Sequence, residues 1–222
     1  MSKPDKTPLR YAIGDVHGRS YWKSFIYDDY TEFYFVGDFF DSHTIPFHEQ
    51  YRNFTEICNA AREDSRIKLC LGNHDYHYLQ NIIDQRYSGF QDNYSRKISA
   101  VLEDNIDLLK IVYTTNDKII ISHAGVTEWF LKSINGKIPE DINHAFDDDR
   151  NILCFNGLDI YGNDITQSPI WVRPESLEKN PLPGYSQIVG HTVIGKITER
   201  ELKGGGKFVF IDTGNIKSIY RF

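Results

Sequence analysis

The sequence predicts an α/β fold, a sandwich of mixed β-sheets flanked by helices. Up to residue 75, short β-rich apolar runs alternate with segments of helical spacing, which predicts parallel strands joined by right-handed crossovers. The first three runs each end in a glycine followed by Asp or Asn, and from 187 onward the chain is again β-rich. Polar side chains at the carboxyl ends of parallel strands are where open α/β sheets bind ligands. We therefore expect the functional site there.

The first three strands are predicted over 9–14, 31–36 and 66–71, because each range is a short β-rich run that stops at a glycine. Helices are predicted between them, one from Ser20 and one over 48–62, because apolar residues recur at helical spacing. The predicted buried stripe of the second helix consists of Tyr51, Phe54, Ile57, Cys58 and Ala61.

The middle of the chain is predicted to contain interrupted helices and one hairpin. Helical spacing extends over 76–103, with a break near a glycine, and over 126–150. The apolar runs 111–115 and 118–122 flank Asn116-Asp117, and two β-rich runs joined by such a turn predict a hairpin.

The remaining third is predicted to contain loops followed by strands. Residues 151–186 are rich in Gly, Asn and Pro, which indicates long loops over the cleft. Strands are predicted over 187–190 and 216–222, and 194–202 is predicted to pair with 207–212 across three glycines.

Composition limits the class of protein. No repeat or linker divides the 222 residues, so we expect one domain over 1–222, with a loop-rich region over 135–186 above the cleft. The net charge of −6 argues against partners such as nucleic acids and anionic membranes. Three widely spaced cysteines without a CxxC pair indicate neither a disulfide framework nor a thiolate metal site. No run approaches the ~18 apolar residues of a membrane span, so a cytoplasmic protein is expected.

Five motifs that end predicted strands combine glycine or serine with acid, amide or imidazole side chains. They are Gly14-Asp15-Val16-His17-Gly18, Gly37-Asp38-Phe39-Phe40-Asp41, Gly72-Asn73-His74-Asp75, Ser122-His123-Ala124-Gly125 and Gly190-His191-Thr192. In the first motif, Asp15 and His17 can converge because alternate residues of an extended chain face the same way. An oxygen donor beside an imidazole suits a borderline divalent ion. A single motif of this kind is also typical of a polar turn, whereas five such motifs in one chain favour a metal site.

In this order the motifs resemble those of the calcineurin-like metallophosphoesterases. The resemblance is to the branch of Ser/Thr protein phosphatases with its bacterial and phage relatives, which includes the symmetrical diadenosine tetraphosphatases. It extends from Asp15 to His191 or Asp212. The fold that it implies is the calcineurin-like sandwich, and the activity is a metal-dependent phosphoric ester hydrolase.

The resemblance also implies two divalent metal ions, with Mn as the first choice and Fe or Zn equally suited to the ligands. Its metal ligands would be Asp15, His17, Asp38, Asn73, His123 and His191. Asp15 and His17 would hold one ion, the last three the other, and Asp38 would bridge both. A pair of ions can deprotonate a water and stabilise the charge on a phosphoryl group. The implied nucleophile is the bridging hydroxide, with no phospho-enzyme.

Three further side chains have implied catalytic roles. His74 matches the histidine that protonates the leaving group, and Asp41 matches the carboxylate that orients it. Arg173 resembles the arginine that binds the phosphate, a bidentate task suited to a guanidinium group. Asp212 would support a metal-binding histidine.

One position departs from the family pattern. The family usually has an arginine that contacts phosphate directly after the aspartate that matches Asp41, and this sequence has Ser42. Arg173 would then bind the phosphate alone, or His43 or another basic side chain would help. The departure bears on the protein-phosphatase assignment more than on the metal chemistry.

The leading hypothesis is a di-metal phosphatase acting on phosphomonoesters, either phosphoserine and phosphothreonine in a phosphoprotein partner or a small phosphoester. The alternative enzyme is a dinucleoside polyphosphate hydrolase, in which Tyr161, Trp171 or Tyr185 could stack on a base. From another class, a non-catalytic binding module would be expected to lack ligands that this sequence keeps. Surface or helix positions are expected for the acidic run 147–149 and for His43, His48, His77 and His144.

Overall fold

A computed structural model describes residues 9–26, 30, 32–214 and 217–222. These residues form two five-stranded sheets, in the strand orders β10-β1-β2-β3-β4 and β5-β6-β7-β9-β8. The predicted sandwich of mixed sheets flanked by helices is thereby confirmed. Thr31 and Ile216, which begin two predicted strands, and the polar start over 1–8 lie outside the described residues.

The first sheet is parallel apart from its last strand. Its strands β1 to β4 run in the same direction, and β10 pairs antiparallel with β1. Their bounds are β1 Arg10–Ile13, β2 Glu32–Phe35, β3 Ile67–Cys70, β4 Leu109–Lys110 and β10 Ile219–Arg221. The parallel connections are those that the alternating pattern predicted, whereas the two-residue β4 is too short to leave a signal in the sequence.

The second sheet has a parallel centre and antiparallel edges. Strands β6, β7 and β9 are parallel, with β5 and β8 antiparallel at the two edges. The bounds are β5 Val112–Thr114, β6 Ile119–Ser122, β7 Ser186–Val189, β8 Thr198–Glu201 and β9 Lys207–Phe210. Both predicted hairpins, β5–β6 and β8–β9, are confirmed.

In the described part of the chain, six α-helices lie between the strands. They are α1 Phe47–Glu63, α2 Asn73–Tyr76, α3 Ser95–Glu103, α4 Glu128–Ser133, α5 Asp141–Asp148 and α6 Pro174–Lys179. Short 3₁₀ turns occupy Tyr21–Ser24, Asp92–Tyr94, Ile106–Leu108 and Arg150–Leu153. No helix within the described ranges is long and apolar enough to cross a membrane.

The buried side chains form separate clusters, because successive side chains of a strand point to opposite faces of its sheet. Phe33 and Phe35 of β2 lie in the cluster that contains Phe54 and Ile57 of α1. The intervening Tyr34 faces the second sheet, in the cluster formed by Ala12, Tyr34, Val36, Cys70, Ile121, Ile188, Val209 and Ile211. The two sheets therefore pack face to face, and helices cover the outer face of the first sheet.

Four predicted features differ in the structure. The predicted helix from Ser20 is a single 3₁₀ turn. Residues 77–91 contain no helix, because several of their side chains bond to the loop after β2. Tyr51 of the predicted stripe is 37% exposed, unlike the other four members. Helix α6 lies within 151–186, where only loops were expected; Pro174 at its first position favours the helix start.

Candidate metal centre

The candidate ligands come together because the strand ends of both sheets meet at one edge. The loops after β1 and β2 carry Asp15 and Asp38, helix α2 after β3 begins at Asn73, and the loops after β6 and β7 carry His123 and His191. Asp15, Asp38, Asn73 and His123 are almost completely buried, whereas His17 and His191 are half-buried. Each sheet thus contributes part of one cluster.

The distances define the arrangement. His123 Nε2 lies 2.9 Å from Asn73 Oδ1, 3.2 Å from His191 Nδ1 and 3.5 Å from Asp38 Oδ2. His17 Nε2 lies 3.8 Å from the same Asp38 oxygen. One oxygen of Asp38 is therefore within 4 Å of both His17 and His123.

Asp15 completes the cluster. Ligand atoms of Asp15, Asp38 and His123 all lie within 4.8 Å of one another. The Asp15 carboxylate is held by the backbone N–H of His191, which donates to Oδ1 at 2.9 Å and to Oδ2 at 3.1 Å. The structure thus brings together all six side chains that the sequence singled out.

Two of the histidines are held with a lone pair facing the cluster. His17 donates from Nδ1 to the Phe40 carbonyl at 2.6 Å, and His123 donates from Nδ1 to the Val36 carbonyl at 3.0 Å. A neutral imidazole that donates from one nitrogen is an acceptor at the other. Nε2 of each ring is therefore free to bind a cation, and backbone carbonyls are common partners of metal-binding histidines.

The electrostatics of the cluster favour a bound cation. Burial lowers the pKa of His17 to about 4 and that of His123 to about 3, so both rings are neutral at pH 7. Burial, together with the charge of Asp212, raises the pKa of Asp15 well above its usual range, and burial with Asp75 does the same for Asp38. Buried carboxylates beside neutral imidazoles fit a divalent cation, which would offset the repulsion between the carboxylates.

The backbone of the cluster is strained. His17, Asp38, Asp41 and His191 all have left-handed φ angles, between 42° and 64°, which costs about 1 kcal/mol or more for a residue other than glycine. Such strain concentrates at functional sites. Two glycines permit the close approach of the loops, because a Cβ on Gly72 would collide with the Asp38 carboxylate and one on Gly190 with that of Asp15.

Asp75 connects two of the motifs, a role that sequence reasoning missed. Its carboxylate accepts from the Phe39 N–H at 2.8 Å and from the Gly72 N–H at 3.1 Å. Asp75 is fully buried, and burial raises its pKa to about 7. The loop after β2 is thereby fixed to the start of helix α2, which carries Asn73 and His74.

His74 lies beside the cluster, paired with Asp41. Its Nδ1 donates to Asp41 Oδ2 at 3.0 Å, and its ring is 5.3 Å from that of His17. Burial alone would raise the pKa of Asp41, but hydrogen bonds from His74, His77 and Tyr78 lower it to about 2. His77 was expected at the surface or on a helix, and this is wrong: it is 6% exposed and bonded to Asp41.

Arg173 precedes α6 and lies within electrostatic reach of the cluster. It donates from Nε to the Tyr161 carbonyl at 2.9 Å and from Nη1 to Thr192 Oγ1 at 3.2 Å. Burial lowers its pKa, whereas the charges of Asp15 and Asp38 act to raise it. Both carboxylates therefore act electrostatically on its guanidinium.

Asp212 interacts electrostatically with Asp15, whereas the interaction expected was with a histidine. Burial raises the pKa of Asp212 as well, so the pair consists of two carboxyls that compete for ionisation. Asp212 also accepts from the Gly214 N–H at 2.9 Å. Among the candidate ligands, Asp212 therefore acts on Asp15.

Ser42 is part of the turn that leads into α1. Its hydroxyl accepts from the N–H groups of Thr44 at 3.3 Å and Ile45 at 3.1 Å, and its own N–H donates to Gln50 Oε1 at 3.2 Å. His43 is exposed beside it. The position at which the family resemblance implied a phosphate-binding arginine is here part of a turn, which the short hydroxyl side chain of Ser42 favours.

The aromatic residues near Arg173 differ in their access to solvent. Trp171 is 7% exposed and packs on Tyr87, Phe155 and His191, so it cannot stack on a ligand. Tyr161 is 68% exposed and lines an open cavity of about 390 Å³ whose walls also include Arg173, Thr192 and Arg200.

Comparisons with known proteins identify a family and a fold. The model of the calcineurin-like phosphoesterase family matches residues 11–196. No curated protein sequence matches the chain.

Solved structures have a similar fold. A cold-active protein-tyrosine phosphatase of a psychrophilic Shewanella species is 17% identical with a TM-score of 0.56, over 93% of this chain and 71% of that chain. A protein serine/threonine phosphatase from Saccharomyces cerevisiae is 16% identical with a TM-score of 0.54, over 92% of this chain and 67% of that chain. At these identities the likeness establishes the fold.

Proposed function

The chain belongs to the calcineurin-like phosphoesterase family and is a hydrolase of phosphoesters; we propose that it is a di-metal phosphatase that hydrolyses phosphomonoesters. The observation that carries the proposal is the convergence of six metal-type side chains beside the His74–Asp41 pair. A binding module that had lost catalysis would not need that pair. The assignment as a single domain over 1–222 stays a prediction.

Two divalent ions, with Mn as the first choice, would be held by the six side chains. Asp15 and His17 would bind one ion, and Asn73, His123 and His191 the other. The position of one Asp38 oxygen within 4 Å of both His17 and His123 supports a bridging role. When bound, such ions lower the pKa of water and stabilise negative charge on a phosphoryl group.

The protein's own side chains would bind the substrate and move its protons. Arg173 would donate to the phosphoryl oxygens, a bidentate task that suits a planar guanidinium group. His74, held through Nδ1, would give its Nε2 proton to the ester oxygen as that oxygen leaves with the electron pair of the P–O bond. Water supplies the hydroxide that forms the new P–O bond.

For the substrate, we favour phosphoserine or phosphothreonine in a polypeptide, because the cavity beside Arg173 is open to solvent and would admit a chain. Of the structural neighbours described above, one is a tyrosine phosphatase and the other a serine/threonine phosphatase by name, which supports a phosphoprotein substrate in general. The alternative, a dinucleoside polyphosphate, is favoured by one observation: the exposed ring of Tyr161 at the cavity wall could stack on a base.

The test is phosphate release by metal-stripped protein after Mn is added back. Three substrates would be compared: p-nitrophenyl phosphate, a phosphoserine peptide and diadenosine tetraphosphate, with Asp38→Asn as the control. Mn-dependent release from the peptide that Asp38→Asn abolishes would support the phosphatase. A strong preference for the dinucleotide would favour the alternative. No release from any substrate by protein that binds Mn would contradict both.

A further inference from the structure

Two histidines contact Asp41, and the reaction proposed above uses only one of them. His74 Nδ1 donates to Asp41 Oδ2 at 3.0 Å, and His77 Nε2 lies 2.7 Å from the same oxygen. The other oxygen, Oδ1, accepts from the Tyr78 hydroxyl at 2.5 Å and from Gln91 Nε2 at 3.3 Å. The closer approach to the shared oxygen is thus that of His77.

The proton of His77 has a defined place. The backbone N–H of Tyr87 donates to His77 Nδ1 at 3.3 Å. Because Nδ1 is an acceptor, the proton of the neutral ring lies on Nε2, which faces Asp41. No onward proton path leads through the ring, since its second nitrogen already receives the Tyr87 N–H. His77 is a fixed donor and not a relay.

The ring is also fixed in orientation. It stacks on Tyr87, with centroids 5.3 Å apart and an interplanar angle of 11°, and it makes edge contacts with Tyr78 and Phe90. His77 is 6% exposed, and Asp41 is 2% exposed. A polar contact with a carboxylate in such a buried place is strong, because no water competes for it.

We propose that His77 is a positioning residue for the general acid, resting on the function proposed above. Through this contact, His77 fixes the position of Oδ2, and Oδ2 in turn fixes the His74 ring through its Nδ1. The orientation of His74 toward the leaving group therefore depends on His77. Neither the family resemblance nor the sequence pattern assigned His77 a role.

The test uses the different need of two substrates for a proton. The serine of a phosphoserine peptide leaves as a strongly basic alkoxide that requires a general acid, whereas p-nitrophenolate leaves without one. His77→Phe keeps an aromatic ring beside Tyr87 but removes the donor. Its kcat on the peptide is expected to fall about tenfold to a hundredfold, the scale seen for supporting partners of site residues. Its kcat on p-nitrophenyl phosphate and both KM values should change little.

Two variants separate this role from packing. His77→Gln retains an amide donor near the position of Nε2 and should restore most of the peptide activity. Tyr87→Phe keeps the ring that stacks on His77 and touches no atom of Asp41, so it should leave both activities unchanged. Thermal unfolding would be measured for each. If His77→Phe does not fold, His77→Asn, whose shorter side chain cannot reach Oδ2, takes its place.

A readout without turnover is the tautomer of His77. In the metal-free protein, ¹H–¹⁵N NMR should show a proton on Nε2 and none on Nδ1. An Nδ1-protonated ring, equal losses on both substrates, or full peptide activity in His77→Phe would each overturn the inference. An inactive wild-type enzyme would instead contradict the proposed function itself, and this inference with it.

Discussion

At the scale of single residues, His74 is bound to the protein through only one ring nitrogen. Its Nδ1 is engaged by Asp41, and its side chain is 20% exposed beside His17. His74→Asn should therefore leave metal binding intact and reduce turnover of a phosphoserine peptide at least about a hundredfold, the scale of a lost general acid. Metal content by elemental analysis and steady-state kinetics would measure both. Full activity in the variant would contradict the role of His74.

Asp41 predicts how the stability of the metal-free protein depends on pH. Its pKa of about 2 in the folded protein lies below the ordinary value of about 4. The stabilisation is therefore fully present above about pH 4 and is lost as the pH falls through the folded pKa. The free energy of unfolding of wild type minus that of Asp41→Asn should shrink by about 1 kcal/mol between pH 5 and pH 3. Denaturant titrations at both pH values would measure the difference, and a constant difference would contradict it.

The sequence predicted which side chains form the cluster but not what holds them. The ligands follow strand ends and lie in short glycine-flanked motifs, so their convergence follows from the topology. The partners of Asp41 are 37 and 50 residues away along the chain at Tyr78 and Gln91. Contacts of that kind have no periodic signal in the sequence. His77 has one indirect signal only, its position three residues after His74.

At the scale of elements, the strands were more predictable than the helices because their ends are marked by glycine and by the motifs. Residues 77–91 show the limit of periodicity. Their apolar spacing indicated a helix, but His77, Tyr78 and Gln91 all bond to the β2 loop. Tertiary contacts of this kind override local helical preference.

The loop after β7 depends on the absence of a side chain at Gly190. A Cβ there would meet the Asp15 carboxylate, whereas one on Gly204 in the β8–β9 turn would meet nothing within 4 Å. Neither glycine has a positive φ, so the two alanine substitutions differ in the space available for the Cβ and not in backbone strain. Gly190→Ala should displace Asp15, lower Mn content and activity at least about tenfold, and Gly204→Ala should change neither. Equal behaviour of the two variants would show that Asp15 is not held as the structure indicates.

At the scale of the whole molecule, the cluster joins the two sheets at their carboxyl ends. Asp15, Asp38 and Asn73 follow strands of the first sheet, and His123 and His191 follow strands of the second. Away from this edge, Arg10 of β1 forms a bidentate ion pair with Asp117 of the β5–β6 turn, at 2.7 Å for both bonds. The sequence predicted both sheets. Their relative position, which brings their strand ends together, depends on the packing of the buried interface, and the alternation of side chains does not determine that packing.

A metal bound between the sheets should therefore stabilise the whole fold and not only the loops. A ligand present at 100 times its Kd adds about 2.7 kcal/mol, which for a chain of this length corresponds to a rise in Tm of about 5–10 °C. Differential scanning calorimetry of metal-free protein with added Mn would measure the shift. Asp38→Asn should abolish it, because one oxygen of Asp38 lies within 4 Å of both His17 and His123. Asp148→Asn, in the exposed acidic run on α5, should leave the shift unchanged; loss of the shift there would instead locate the stabilising ion on α5.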